Sequence, residues 1–97
     1  MKVVGVTSCA TGIAHTYMAA DAIQKICKKM GYECKVETQG AVGIENKLSS
    51  SDIATADLII FANDVQVSRI ERFEAYKYKI KKLSPHEVIA HPDVIFK

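Results

Sequence analysis

A run rich in β-branched residues, followed by an amphipathic helical stripe, constrains the fold of this chain most strongly. Val3–Ser8 is apolar at consecutive rather than alternate positions, which indicates a strand buried on both faces. Apolar side chains then recur at helical spacing from Ala19 to Met30, and Gly31 follows the last turn. Glu33–Glu37 alternates like a second, less buried strand. The pattern predicts a right-handed βαβ unit with parallel strands.

The middle of the chain continues this alternation. Thr38–Leu48 has two glycines and no clear period, so we expect a loop there, with at most a helical turn. Ser49–Asp52 supplies several N-caps for a short helix over Ile53–Ala56. Leu58–Ala62 is a second apolar run and predicts another buried strand.

The last third of the chain predicts an edge strand and one more helix. Tyr76–Lys81 alternates aromatic or apolar residues with lysines, which is typical of an edge strand whose lysines face solvent. Ser84, Pro85 and Glu87 together form the start signal of a helix, with a Ser cap, Pro in the first turn and a capping box. The Pro at position 92 should end that helix early.

We therefore predict one α/β domain over residues 1–97. Its architecture is a three-layer sandwich with a four-stranded, mostly parallel sheet and helices on both faces. A chain of 97 residues supports a single core. Ligands of such sheets bind beyond the carboxyl ends of the strands, where strand order reverses. Cys9 follows the first strand, and Asn63 and Asp64 follow the Leu58 strand, so these two loops should be neighbours.

Composition excludes several classes of function. The net charge of +2 and the lack of a basic cluster with interleaved aromatic residues argue against nucleic-acid binding. No apolar stretch approaches the ~20 residues of a membrane span, and the start of the chain lacks the pattern of a secretory signal. Three cysteines form no disulfide framework and suit a reducing compartment. We expect a cytoplasmic protein.

Cys9 lies where the first strand hands over to the first helix, and this position favours anion chemistry. Unpaired N–H groups and the dipole at a helix start favour a thiolate and bind oxyanions. A thiolate is a nucleophile toward phosphorus. We expect the backbone N–H groups of the following loop to form a phosphate cradle. The cradle consists of Ala10, Thr11, Gly12, Ile13, Ala14 and His15.

The same loop differs from that of a cysteine phosphatase. Such an enzyme needs an Arg six residues after its Cys, to clamp the phosphoryl group and stabilise its charge. Position 15 is His in this chain, and the loop contains neither Arg nor an acidic residue for general acid–base work. His15 either contacts phosphate or thiolate, or merely bonds to backbone at the helix start. The loop suits a cysteine that accepts a phosphoryl group and keeps it, as a carrier requires.

The other cysteines point to packing rather than to chemistry. Cys27 lies on the apolar stripe of the helix and Cys34 lies in a strand, so we expect both in the core. Cys9, His15, Cys27 and Cys34 lack the spacing of a zinc site, so no metal is expected. A Walker loop is also absent.

Three sequence blocks resemble a known family. The stretch from Cys9 to Ala20, CATGIAHTYMAA, resembles the active-site signature of the fructose-type enzyme IIB (EIIB) domain of the bacterial phosphoenolpyruvate:sugar phosphotransferase system. Val36–Gly40 with Gly43–Asn46 resembles the second block of that family, and Ile53–Ala62 resembles the third. The blocks occur in order and cover nearly the whole chain. The resemblance also implies the four-stranded parallel sheet that the pattern predicts.

The resemblance implies a phosphocysteine relay. Cys9 would accept a phosphoryl group from a phosphohistidine of EIIA and pass it to a sugar, by default fructose, bound by the membrane permease EIIC. The domain would then be a cytoplasmic phosphotransferase without metal or organic cofactor, associating with the inner face of the membrane through EIIC. We expect the Gln39–Gly40 segment to line the partner surface. Two alternatives are an enzyme related to low-molecular-weight cysteine phosphatases and arsenate reductases, and a silent docking module.

One residue departs from the family pattern. The family usually has Pro directly after the cysteine, and this chain has Ala10. Proline fixes φ and removes an N–H, so Ala10 loosens the loop and adds a donor that is able to point at phosphate.

Overall fold

A mixed five-stranded sheet lies between two helical layers in the computed structural model of this chain. The structure describes residues 1–9, 13–40 and 43–97. Within those residues there are five strands and three α-helices. Turns of 3₁₀ helix occur over Ile70–Lys79, with a kink at Tyr76, and over Pro92–Phe96. In chain order they are β1 (Lys2–Ser8), α1 (Ile13–Met30), β2 (Glu33–Gly40), β3 (Gly43–Glu45), α2 (Ser50–Thr55), β4 (Leu58–Asn63), β5 (Ile80–Leu83) and α3 (Pro85–Ala90).

The strand order is β3-β2-β1-β4-β5, with β1 at the centre. β1 is parallel to both β2 and β4, and β4 is parallel to β5. These four parallel strands confirm the predicted sheet. The chain leaves β1 toward β2 on one side and returns to β4 on the other, so strand order reverses at β1. The carboxyl ends of β1 and β4 therefore flank the crevice where such sheets bind ligands.

Each face of the sheet buries its own apolar cluster, and alternate residues of one strand serve both. In β1, Val3 packs under α1 and α3, whereas Val4 and Val6 pack under α2 and the 3₁₀ segment. Alternate side chains of a strand point to opposite faces, which explains why β1 is apolar at consecutive positions. Helices on both faces were predicted correctly. The residues of α1 in the first cluster include Ala19, Ile23 and Cys27.

The fifth strand corrects the loop expected over residues 38–48. β2 continues to Gly40, and β3 pairs with it antiparallel, joining Gln39 to Ile44 and Gly40 to Gly43. Gly43 has φ of +99°, a backbone conformation that residues other than glycine rarely adopt. The hairpin was missed because a three-residue strand carries no periodicity of its own.

The predicted edge strand is present as β5, but its expected position over Tyr76–Lys81 is wrong. The chain forms 3₁₀ turns, with a kink at Tyr76, as far as Lys79, and β5 begins only at Ile80. Lys79 does not face solvent as predicted. Its ammonium group donates to the carbonyl oxygens of Ile53, Ala54 and Ala56 at 3.4, 3.0 and 2.8 Å. The positive charge thus satisfies carbonyls at the end of α2, a placement that the helix dipole favours.

The start of α3 follows the sequence signal. The Ser84 hydroxyl accepts from the backbone N–H of Glu87, the Glu87 carboxylate accepts from the backbone N–H of Ser84, and Pro85 occupies the first turn. The helix ends at Ala90, before Pro92. This capping box fixes where the first turn of α3 stands relative to β5, and that turn carries a residue of the site described next.

Candidate active site

Cys9 follows the last residue of β1 at the carboxyl edge of the sheet and is partly exposed. The preceding residue, Ser8, is paired with Gln39 of β2 on one side and Asn63 of β4 on the other. α1 begins four positions further along the chain, at Ile13. The thiol is therefore reachable from solvent and stands between the central strand and the positive end of an 18-residue helix.

Asp64 reaches Cys9 from the loop after β4. The Cys9 thiol donates to Asp64 Oδ2, with 3.2 Å between Sγ and the oxygen. The backbone N–H of Asp64 donates to the carbonyl of Ser8 at 3.1 Å, which fastens the aspartate to the end of β1. The two loops are neighbours, as the topology predicted. No role for Asp64 was predicted, because nothing in the sequence indicates which residue of the second loop faces the sulfur.

His15 approaches the sulfur from the first turns of α1. Its Nδ1 lies 3.9 Å from Cys9 Sγ, a long contact for a sulfur hydrogen bond. The other neighbour of the ring is His86 in the first turn of α3, with ring centroids 4.9 Å apart in an edge-to-face arrangement. His15 therefore contacts the Cys9 sulfur, and His86 packs against the His15 ring. Nothing in the residue pattern indicated a role for His86 beyond its position inside the capping box.

Two buried polar atoms beside these residues have no hydrogen-bond partner within the part of the chain that the structure describes. They are Thr16 Oγ1, next to His15, and Asn63 Oδ1, next to Asp64. Asn63 is 8% exposed, and its amide nitrogen donates to Val65 O at 2.7 Å, so its oxygen is the acceptor left over. Unsatisfied buried groups cost free energy, and native proteins tolerate few of them away from functional sites.

The expected phosphate cradle is described only in part. Ala10, Thr11 and Gly12 lie outside the described residues, and the departure from the family pattern at Ala10 lies there too. Ile13, Ala14 and His15 belong to the first turn of α1. The positive end of the α1 dipole and the Asp64 carboxylate place opposite charges beside Cys9.

A second polar cluster lies on the neighbouring strand, where its buried carboxylate is hydrogen-bonded within the protein. Glu37 of β2 is fully buried, and both of its carboxylate oxygens bind the Arg72 guanidinium, at 2.8 and 2.9 Å. The carboxylate also accepts from the backbone N–H of Leu48 at 2.8 Å and from the Gln39 amide at 2.7 Å. Burial alone raises the pKa of Glu37, but these hydrogen bonds outweigh it and hold the pKa below its ordinary value.

The Gln39 side chain belongs to this cluster, and the expectation that the Gln39–Gly40 segment lines a partner surface stays a prediction. Its amide oxygen accepts from the backbone N–H of Ser68 at 2.8 Å, and its amide nitrogen donates to the carbonyl of the same residue at 3.1 Å. Gln39 is 8% exposed. It does lie beside the Cys9 loop, since it pairs with Ser8, but its polar atoms hold the segment that follows β4.

The remaining cysteines lie apart from the site. Cys27 is fully buried in the core, and Cys34 is half-buried against the same cluster. Cys34 pairs with Val3, at the opposite end of β1 from Cys9. A hydrogen bond to Cys27, and burial in addition, raises the pKa of the Cys34 thiol, which makes it a weak nucleophile. Across the described ranges, no cluster of three His, Cys, Asp or Glu residues could hold a metal ion.

Comparisons with known proteins assign the family. Residues 4–97 match the family model described as the lactose/cellobiose-specific IIB subunit of the phosphotransferase system. The "PTS system fructose-like EIIB component 2" of Escherichia coli K12 is 49% identical over 72 residues, which are 74% of this chain and 68% of that protein. This chain belongs to the EIIB family of the sugar phosphotransferase system. Its similarity to named relatives places it with the fructose type. It is accordingly a phosphotransferase component that carries a phosphoryl group.

Longer relatives and solved structures agree with this assignment. The "Fructose-like PTS system EIIBC component" of Escherichia coli K12 is 38% identical over 96 residues, covering 99% of this chain but only 20% of that protein. A solved domain of the fructose-specific IIABC component of Borrelia burgdorferi superposes with a TM-score of 0.89 at 41% identity, covering 98% of this chain and 88% of that one. The YwlE arginine phosphatase, at 15% identity and a TM-score of 0.57, shares the fold alone.

Proposed function

We propose that Cys9 is the phosphoryl-carrying nucleophile of this EIIB protein. It accepts the group from a phosphohistidine of an EIIA protein and transfers it to a sugar, with fructose as the expected substrate, held by a membrane EIIC permease. The observation that carries the proposal is the placement of Cys9: a partly exposed thiol at the carboxyl edge of the sheet, contacted by Asp64 and His15. Cys27 is buried, and Cys34, although partly exposed like Cys9, pairs with Val3 at the opposite end of β1.

The phosphate is cradled by the backbone from Ala10 to His15. A helix start offers N–H groups without internal partners, and the dipole adds a favourable potential for the dianion. The loop contains no Arg, since the two arginines of the chain are at positions 69 and 72. Arg72 is bound to Glu37. Without a guanidinium clamp in the loop, the charge stabilisation that a cysteine phosphatase uses for hydrolysis is missing there, and this favours a carrier over a phosphatase.

The partners are inferred from the names of relatives. Several are EIIBC or EIIB′BC components, whose names join an EIIB to an EIIC part in one protein. We infer that residues 1–97 form one EIIB unit, which works in the cytoplasm and meets EIIC at the inner face of the membrane. In the parts of the chain that the structure describes, no helix combines the length and apolar character needed to cross a bilayer. An EIIC partner would supply the membrane-embedded part.

Formation of the phosphocysteine tests the proposal. Incubation with phosphorylated EIIA should add one phosphoryl group to the wild-type protein, and peptide mapping should locate it on Cys9. The adduct should be stable to alkali and labile to iodine, as thiophosphates are. Cys34→Ser is the matched control and should be labelled normally, whereas Cys9→Ala should not be labelled. Labelling of Cys9→Ala would exclude Cys9 as the carrier, and turnover of a generic aryl phosphate would favour the phosphatase alternative.

A further inference from the structure

The contact between Cys9 and Asp64 is the shorter of the two side-chain contacts described at the sulfur. Asp64 Oδ2 lies 3.2 Å from Sγ, whereas His15 Nδ1 lies 3.9 Å away. The aspartate is exposed, but its backbone is fixed to Ser8, so the carboxylate stands at the sulfur without depending on a partner protein. A carboxylate that accepts the thiol proton in a hydrogen bond is placed to take that proton completely.

A carboxylate beside a phosphoryl-accepting sulfur poses an electrostatic problem. The incoming phosphoryl group is negatively charged, and a second negative charge at the same place repels it. A carboxylate that becomes protonated as the sulfur attacks is neutral at that moment. The repulsion is then removed during the step in which the two groups are closest.

We propose that Asp64 is a catalytic residue that moves the proton in both transfer steps, an inference that rests on the proposed function of Cys9. In the first step the thiol proton passes to Oδ2, the sulfur electron pair forms the S–P bond, and the P–N bond of the EIIA phosphohistidine breaks. The electrons of that bond return to the histidine nitrogen, which takes the proton from Oδ2. The carboxylate is regenerated.

The second step uses the same group in the same way. The proton of the attacking sugar hydroxyl passes to Oδ2, the hydroxyl oxygen forms the O–P bond, and the S–P bond breaks. Its electron pair returns to sulfur, which regains the proton from Oδ2. The net reactions consume and release no free proton. The same carboxylate accepts the proton of the Cys9 thiol in the first step and that of the sugar hydroxyl in the second.

Asp64→Asn tests the proposal, because the amide keeps the size of the side chain but does not act as a base. The rate of Cys9 phosphorylation by phosphorylated EIIA is measured by rapid quench from pH 6 to 9. Removal of a positioned base costs about 10²-fold or more, so we expect a loss of at least that size near pH 7. The rate of the variant should rise with pH until the thiol is ionised, since it then depends on thiolate formed by solvent, whereas the wild-type rate rises less steeply.

Asp93→Asn is the matched control. Asp93 is an exposed carboxylate paired with Lys97 in the segment after α3, and it is not part of the site. Its variant should match the wild-type rate at every pH. Alkylation of Cys9 by iodoacetamide provides a second readout, because it needs only the preformed thiolate. Asp64→Asn should be alkylated at least as fast as the wild type, since a neighbouring negative charge is gone.

Opposite outcomes separate the interpretations. A faster or unchanged phosphoryl transfer in Asp64→Asn would overturn the proposal, since it would make the carboxylate an obstacle or a bystander. Equal losses in alkylation and in phosphoryl transfer would also overturn it, because they would indicate a displaced sulfur and not a missing base. Absence of any phosphoryl group on wild-type Cys9 would instead remove the proposed function itself.

Discussion

Glu37 and Asp64 are carboxylates on either side of the central strand, yet their surroundings are opposite. Glu37, on β2, is fully buried and accepts hydrogen bonds from Arg72, Leu48 and Gln39. Asp64, after β4, is exposed and accepts from the Cys9 thiol. A carboxylate whose oxygens are saturated by fixed donors holds structure together, whereas one that meets an exchangeable proton at an exposed sulfur is available for chemistry.

Substitution of Cys9 should have the largest effect. Cys9→Ser keeps the size of the side chain, but its hydroxyl is barely ionised and is a poor nucleophile, so sugar phosphorylation in the complete system should be abolished. The free energy of unfolding, measured in urea, should match that of the wild-type protein. Full sugar phosphorylation by the Ser variant would contradict the assignment of the Cys9 thiol as the reactive group.

Glu37→Gln should cost stability and not chemistry. Removing one partner of a buried ion pair leaves Arg72 uncompensated, and such changes cost about 3–5 kcal/mol. Because the pKa of Glu37 is lowered in the folded state, its contribution is present at neutral pH and is lost as pH falls through that lowered pKa. Urea unfolding should therefore show a gap between wild type and variant that is full at pH 7 and narrows below about pH 4.

Glu74→Gln provides the control for this measurement. Glu74 pairs with Lys77 on the surface, where both side chains are 70% exposed, so its loss should change stability by about 0.5 kcal/mol or less. A gap between wild type and Glu37→Gln that stays constant from pH 7 to pH 3 would contradict the assignment of Glu37 as an ionised structural carboxylate.

His15→Ala should slow phosphoryl transfer without abolishing it. A hydrogen bond to a charged group contributes about 1.5–3 kcal/mol, and the long Sγ to Nδ1 distance places the effect at the lower end, roughly tenfold. His86→Ala should have a smaller effect in the same assay, because His86 contacts His15 and acts through it. Unchanged rates in His15→Ala would leave His15 as a residue that only begins the helix.

Ser84→Ala should have the smallest effect of these changes. It removes the hydroxyl that caps α3, and the loss of such a cap costs about 1 kcal/mol. Urea unfolding measures the change directly, and phosphoryl transfer should fall no more than in His86→Ala, since the cap influences the site only through the first turn of α3. A larger loss of transfer than in His86→Ala would mean that α3 positions more of the site than His86.

The sequence predicted those elements of the fold that apolar runs, helical periodicity and capping residues encode locally. β1, α1 and β4 follow from runs and periodicity, and the start of α3 follows from its capping box. The short strand β3 and the 3₁₀ segment before β5 did not follow, because tertiary contacts decide both. The Lys79 side chain, for example, is drawn to carbonyls of α2 that are 23 to 26 residues away in the chain.

The site shows the same division. Cys9 and His15 were found because one loop holds both, and the topology brought the loop of Asp64 beside them. The pairing of Glu37 with Arg72 spans 35 residues, and the contact of Cys9 with Asp64 spans 55. Neither contact can be recognised from residue spacing, and the place of the Gln39 side chain in the buried cluster was therefore not predicted. That Glu37 is buried against Arg72 and that Asp64 lies exposed at the Cys9 sulfur emerges only from the packing.

A single-turnover chase tests most directly whether Cys9 transfers its phosphoryl group to a sugar. Wild-type protein is labelled on Cys9 with phosphorylated EIIA, purified, and mixed with vesicles that contain EIIC, with and without fructose. The label should remain on the protein in the absence of an acceptor and should appear in sugar phosphate when EIIC and sugar are both present. Prompt release of inorganic phosphate without an acceptor would contradict a carrier.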